Sequence, residues 1–381
     1  YFLARDMYGA RVGMFASLGY ALMPAVILSS VVISTDGVLI PFWCAALWAL
    51  WRLRSGQGAW VSALGLGVAV GLGFLSKYAM LYFAIGVVLV LLIDAQSRRA
   101  LLSWKGLAAL AVAAAIFAPH LAWNAANDFK TVSHTVDNAN LGGDLINPEN
   151  ALTFLVDQLG VFGPISFLAL VFGIFVMRSE DTGIMGRDRW LLCFILPVLL
   201  IIMAQAVLSR ANANWAATAY PAASVLVASW LARAKPNRKL WYIIAAVSFV
   251  AFLLAPDVSF ATRLLIGAIV AAAILGYGHF VRHSPSGLLW TSLSLHAALM
   301  LALLTLALLP ASLSTSLGFD NALKRTRGWD SAAEQLFARA DALGATSVLV
   351  DEREAWHGLD YYARERTTPM ISWRRYAGPK S

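Results

Sequence analysis

Charge is what this sequence lacks. Of its 381 residues only 13% are Asp, Glu, Lys or Arg, while 60% are hydrophobic, and a soluble domain has no core large enough to hide that much apolar surface. A water-soluble fold is thereby excluded for most of the chain, and lipid becomes the solvent. Cysteine is nearly absent as well. Cys44 and Cys193 both sit inside apolar runs with no metal-ligand spacing around them, which excludes a disulfide framework and leaves both as packing residues. No internal repeat of the kind that marks many transporters is visible, and no signal-peptide pattern opens the chain. The first residues, YFLARDMYGARVG, read as a loop entering a span, with further sequence expected ahead of Tyr1.

What is present is a succession of about eleven apolar stretches of helix length. They run over Ala10–Ser34, Asp36–Trp51, Trp60–Leu75, Tyr78–Ile93, Trp104–Trp123, Ala151–Met177, Trp190–Leu208, Asn214–Leu231, Leu240–Leu254, Thr262–Val281 and Leu288–Leu309. Lys and Arg crowd every second connection. One set of connections holds Arg52 and Arg54; Arg98, Arg99 and Lys105; Arg178, Arg187 and Arg189; Arg233, Lys235, Arg238 and Lys239; and Arg282, with Arg5 and Arg11 before the first span. The other set holds only Lys77, Lys130, Arg210 and Arg263. Basic residues are retained on the cytoplasmic side, so the first set is expected inside, and the C-terminal tail outside. The net charge of +8 follows from this topology, and a nucleic-acid partner is set aside.

The outward connections hold most of the polar residues that are not basic anchors. The longest, Asn124–Asn150, exceeds the two to eight residues usual between packed helices, and loops of that length tend to be functional or disordered. Asn147-Pro148 in it reads as an N-cap followed by Pro at the first helical position. After Pro310 the composition turns water-soluble. Trp329–Leu343 reads as an amphipathic helix with a Ser331/Glu334 capping box and Gly344 as its stop, followed by a strand at Ser347–Val350, a helix at Glu352–Arg364 and a strand at Pro369–Trp373. The expected fold is therefore an all-α polytopic membrane domain over residues 1–312 with a small extracytoplasmic α/β tail over 313–381, whose end at Ser381 reads as abrupt.

Four groups of residues are candidates for chemistry. Asp36 is an ionisable group at an outward helix end, although a Thr-Asp pair before an apolar run is equally an ordinary N-cap. Lys77 interrupts the apolar stretch GLGFLSKYAMLY at an outward turn where a cation is disfavoured, so it either snorkels to headgroups or binds a lipid-borne phosphate. Arg210 raises the same question, with Asn212, Asn214, Trp215 and Tyr220 behind it. Tyr220 lies inside a helix, where its hydroxyl needs a partner. His134 and Asp137, three apart in the long loop, and His120 before it form the last group, suited to a metal or a proton relay but also common by chance in a polar loop.

On the stretches ISTDGVLIPFW, GLGFLSKYAMLY, PHLAWNAANDFKTVSHT, RANANWAATAYP and the tail from GWDSAAEQL to LVDEREAW, the sequence resembles a bacterial family-39 glycosyltransferase of the dolichyl-phosphate-mannose-protein mannosyltransferase type, the group that includes the lipid A aminoarabinose transferase. The resemblance implies the C-type glycosyltransferase fold, a polyprenyl-phosphate-linked sugar as donor, and a glycan, lipid or protein acceptor. It places the protein in a bacterial inner membrane with its active site and tail facing the periplasm. It also implies that the family's principal catalytic aspartate lies in a first outer loop upstream of Tyr1. Within this chain Asp36 matches a second acidic position and becomes the catalytic candidate, Lys77 matches the lysine of a Thr/Ser-Lys motif, and Tyr220 falls where relatives contact the lipid phosphate. Lys77, Arg210 and Tyr220 are thus expected at the donor phosphate. Asn124, His134, Asp137, Asn214 and Trp215 are expected at the sugar or acceptor, beneath a lid formed by Asn124–Asn150. No cofactor is called for; a divalent metal is left open, since relatives vary on that point. Sugar transfer from a phosphate ester needs a base for the acceptor hydroxyl and cations for the departing phosphate, and outward carboxylates and cations are both here. The rival readings are a flippase or transporter of lipid-linked sugars and a non-catalytic assembly subunit. Transporters place ionisable groups near the midplane, whereas these fall near one face.

Overall fold

The computed structural model describes residues 1–30, 34–139, 146–176, 181–234, 238–254, 259–281, 287–316 and 327–372. They divide into two compact units, Tyr1–Ala255 with Leu264–Leu304, and Pro256–Arg263 with Thr305–Ser381.

The first unit is all helical. A short α1 (Phe2–Tyr8) precedes α2 (Ala10–Ala21) and α3 (Pro24–Ser30). The hairpin α4 (Thr35–Arg54) and α5 (Ala59–Ser76) follows, then a 3-10 turn (Tyr78–Met80), α6 (Leu81–Ile93) and α7 (Ala95–Leu101). After these come α8 (Trp104–Ala126), α9 (Lys130–Ala139), α10 (Pro148–Phe162), α11 (Pro164–Val176) and α12 (Thr182–Leu208). A second 3-10 turn (Ala213–Ala219) leads into α13 (Tyr220–Arg233), α14 (Arg238–Leu254), α15 (Phe260–Val281) and α16 (Gly287–Leu308). Six of these, α4, α5, α8, α12, α15 and the 3-10 turn continued by α13, are long and apolar enough to cross a bilayer. Two bent pairs, the turn and α6 with α7 and α10 with α11, raise that number to eight.

The sequence leads to about eleven spans, whereas six helices, or eight spans with the bent pairs, have that length and composition among the described residues, and three of the expected spans are not single rods. Ala10–Ser34 breaks after α2, and Tyr78–Ile93 starts with a 3-10 turn. Ala151–Met177 turns through 117° between α10 and α11, because Gly163 there takes φ +87 ahead of Pro164, which has no N–H to continue a helix. Helix packing is closest where glycine permits it. A Cβ on Gly67 would stand 2.5 Å from the Ala109 carbonyl, and one on Gly71 would stand 2.8 Å from Ile116 Cβ, so the Gly-xxx-Gly face of α5 brings it directly onto α8.

At the arginine-rich end of the unit the few carboxylates are all engaged. Arg54 binds Asp94 through Nε at 2.8 Å and Nη2 at 2.9 Å. Asp188, buried on α12, accepts from Tyr8 (2.6 Å), Trp230 Nε1 (2.8 Å) and Arg233 (2.9 Å), tying α1 to α12 and α13. Asp6 accepts from Trp48 Nε1 at 2.9 Å. Burial raises its pKa, but Trp48 and the adjacent Arg5 outweigh this and hold the carboxyl below the usual range. These contacts leave no uncompensated charge at that end among Asp6, Asp94 and Asp188.

In the second unit α17 (Ala311–Ser316) is followed by α18 (Trp329–Ala342), β1 (Val348–Val350), α19 (Arg353–Ala363) and β2 (Met370–Ser372), with β1 and β2 parallel and Val348 opposite Met370. Phe337, Ala333, Ala340 and Leu359 close a small core under the strands. The expected stop at Gly344 is present, with φ +62. The expected capping box is not: α18 begins after Gly328, and the Ser331 hydroxyl donates back to the Gly328 carbonyl instead of receiving an N–H. Trp373 lies outside the described residues.

Gly163→Ala tests the elbow. Its Cβ would fall 1.9 Å from His296 Nε2 at a φ that only glycine tolerates, so the expected loss is about 2–5 kcal/mol, read as a fall in the detergent melting temperature.

Candidate active site

Opposite the arginine-rich end, α4 begins and α5 finishes side by side. Ser34 is the N-cap of α4, accepting from Gly37 N, so Asp36 is released from capping duty. Lys77 leaves α5 in extended backbone (φ −164, ψ 139), which swings its side chain across the hairpin. Its Nζ lies 2.7 Å from Asp36 Oδ1. The other oxygen, Oδ2, accepts from Asn214 Nδ2 at 2.9 Å. Three sequence-separated candidates thus meet in one cluster. The pair is partly buried, with side-chain exposures of 31% for Lys77 and 16% for Asp36, and so remains open to a ligand. On the same elements Trp43 Nε1 and Thr218 Oγ1 are buried polar atoms without a hydrogen-bond partner among the described residues.

Arg210 is exposed in the link before the second 3-10 turn, and its guanidinium has no partner among the described residues. Trp215 is half-buried and packs on the main core, its N–H donating to the Asn212 carbonyl. Tyr220 stands apart from the Asp36 cluster. Expected at the donor phosphate, it is fully buried, stacks on Phe162 at 4.5 Å and donates its hydroxyl to Gln158 Oε1. Gln158 in turn donates to the Phe154 and Ala213 carbonyls. His134 and Asp137 fall on α9, and their side chains lie outside the described residues.

Asn124, expected at the sugar or acceptor, organises the backbone around it. It is fully buried at the end of α8. Its carbonyl receives Phe129 N (2.8 Å), and its Oδ1 receives Thr131 N (3.2 Å) at the start of α9. Between them Asp128 and Phe129 are both left-handed, at φ +55 and +52, an uncommon conformation for any residue with a side chain. The segment expected as a lid is thus helical over α9, with a strained corner pinned by Asn124. The same side chain places Nδ2 2.9 Å from His120 Nε2, which is also 2.9 Å from the Tyr78 hydroxyl. The reading of the sequence placed Tyr78 in an outward turn and Gln158 near the interface but gave neither a role in the site. A usable signal existed at His120 and Asn124, two polar residues four apart on one face of an otherwise apolar helix.

Residues 1–123 match the family described as dolichyl-phosphate-mannose-protein mannosyltransferase. The lipid A galacturonosyltransferase RgtD of Rhizobium johnstonii is 38% identical over 231 residues, 60% of this chain and 47% of that protein. The lipopolysaccharide core galacturonosyltransferase RgtA of the same organism is 31% identical over 134 residues, 34% and 26% of the two chains. Among solved structures, ArnT from Cupriavidus metallidurans bound to undecaprenyl phosphate superposes with a TM-score of 0.62 at 15% identity, covering 97% of this chain and 68% of that one. Its apo state gives 0.60 at 16%, covering 97% and 67%. Over residues 1–123 the chain carries the match to that glycosyltransferase family, and over nearly its whole length it shares the fold of the solved structures. Its fold is the C-type multi-span glycosyltransferase fold, and it spans about half the length, or less, of the two curated relatives. Asp36, Lys77, Tyr78 and His120 lie within the family match, whereas Asn124, Arg210, Asn214 and Tyr220 lie beyond it. Asn124→Ala removes the Oδ1 contact that starts α9 and is expected to cost about 1–2 kcal/mol, seen as faster hydrogen exchange over residues 127–139.

Proposed function

We propose that the protein transfers a sugar from a polyprenyl-phosphate donor to an extracytoplasmic acceptor at the outer face of a bacterial inner membrane. The names of the two galacturonosyltransferase relatives favour an acidic sugar as the transferred group and the lipid A or core region of lipopolysaccharide as acceptor. The observation that carries this reading is the contact of Asp36 with Lys77 and Asn214, a carboxylate, an ammonium and an amide meeting where a lipid-borne phosphate reaches the water boundary. The orientation with Arg54 and Arg233 inside and Asp36 outside follows the distribution of basic residues, and puts the 313–381 appendage on the outer side.

The chemistry follows from charge. As the anomeric C–O bond to phosphate breaks, negative charge grows on the departing phosphate. Lys77 and Arg210 stabilise it electrostatically, so little protonation of that leaving group is needed. The acceptor oxygen forms its bond to the anomeric carbon from the opposite face, which inverts the configuration, and its proton passes to a carboxylate. Asp36 is the group placed to receive it, once the arriving phosphate draws Lys77 away. Asn214 keeps the freed carboxylate oriented. An ion pair at the rim suits this exchange better than the midplane placement of a transporter's ionisable groups.

The test is mass spectrometry of lipid A and core glycolipids from cells carrying the intact gene, a deletion, or the full-length variants Asp36→Asn and Lys77→Met. One glycoform is expected to vanish in the deletion and to fall by about 100-fold or more in both variants. Glycolipids unchanged by the deletion, or full transfer by both variants, overturns the assignment.

A further inference from the structure

Lys77 can meet a phosphate only if the turn that carries it is held in place, and the structure holds that turn from the side away from Asp36. Helix α5 lies between α4 and α8, packing extensively on both. Lys77 is extended and Tyr78 opens the 3-10 turn, so the two adjacent side chains diverge. Lys77 reaches Asp36 on α4, and Tyr78 reaches His120 on α8, its hydroxyl 2.9 Å from Nε2.

The protonation of that ring follows from its neighbours. Asn124 Oδ1 accepts from Thr131 N, and Nδ2 lies 3.1 Å from the His120 carbonyl. These contacts orient the amide so that its NH2 group faces the imidazole, 2.9 Å from Nε2. A ring nitrogen facing an NH2 presents its lone pair, so Nε2 is the acceptor of the ring. The Tyr78 hydroxyl and the Asn124 amide both converge on it, and Asn124 Nδ2 also donates to the Tyr78 hydroxyl at 3.3 Å. The ring is further held by Phe117 at 5.4 Å and by a parallel Trp123 at 6.3 Å. Packing does not need the hydroxyl, because the Tyr78 ring already meets Phe117 edge-on at 6.1 Å. The hydroxyl-to-imidazole bond therefore does something besides filling space.

We propose that Tyr78, His120 and Asn124 form a clamp that positions Lys77 for the phosphate of the lipid donor, with His120 as the positioning residue. This rests on the reading of Lys77 as a donor-phosphate ligand. None of the three touches the reacting atoms; they act through the Lys77–Tyr78 turn.

The experiment measures binding of undecaprenyl phosphate, with undecaprenol as the uncharged control, to full-length purified protein. The variants are Tyr78→Phe, His120→Ala, His120→Gln and Lys77→Met, each with a melting temperature. Tyr78→Phe and His120→Ala are expected to weaken undecaprenyl phosphate about tenfold, the effect of one well-placed hydrogen bond, with undecaprenol unaffected and melting temperatures near wild type. His120→Gln, which keeps an acceptor for Tyr78 and Asn124, is expected to recover most of the affinity. Wild-type affinity in both Tyr78→Phe and His120→Ala overturns the clamp. So does a loss that tracks the melting temperature and is not recovered by His120→Gln, since that marks a structural role only. Equal binding by wild type and Lys77→Met, or none by wild type, overturns the underlying reading of Lys77 instead.

Discussion

The contact on which the rest of the site depends is the ion pair between Lys77 and Asp36 across the α4–α5 hairpin. In a chain with so little charge, each of these groups would be costly at the lipid boundary by itself. Together, and with Asn214 on the second carboxylate oxygen, they form a compact polar set that the outward ends of two spans can carry. An exposed pair of this type contributes little to stability. This one is only partly exposed, and both of its groups stay within reach of water.

Two architectural devices bring the pair together. The first is the glycine face of α5, where Gly67 and Gly71 allow backbone contact with α8, so the helix carrying Lys77 is gripped along its length. The second is the network at the other end, where Asp188 and Asp94 fasten α1, α7, α12 and α13 through Tyr8, Trp230, Arg233, Arg54 and Ser97. A bundle fixed at its arginine-rich end and closely packed in its middle leaves the Asp36 end as the place where small rearrangements are cheapest.

Much of this was legible in the residues. Hydropathy and the alternation of basic loops marked out the helices, because lipid enforces both patterns along the chain itself. Asp36 and Lys77 stood out because a lone charge beside an apolar run has few reasons to be there. The bends were harder to read. Gly163-Pro164 is a breaker signal, yet the apolar run continues through it and hides a change of direction that is made by packing against His296. The surroundings of Asn124 were hidden for a related reason: its partners, Thr131 N and His120 Nε2, are set by a left-handed corner at Asp128 and Phe129 that no periodicity announces. Tyr220 likewise looked available because its acceptor, Gln158, comes from a helix sixty residues earlier.

That corner gives Asn124 an unusual position in the molecule. One asparagine closes α8 through its main-chain carbonyl, starts α9 through Oδ1 and supports the imidazole behind Lys77 through Nδ2, so three local geometries meet at a single residue. A displacement of α9 reaches the cation through at most four bonded neighbours, and a shift of the cation runs back along the same route. Replacement of the side chain by one that makes only one of its two contacts disturbs the other, which makes the position pleiotropic: drift in the α9 segment and drift in the Lys77–Tyr78 turn are bound to proceed together.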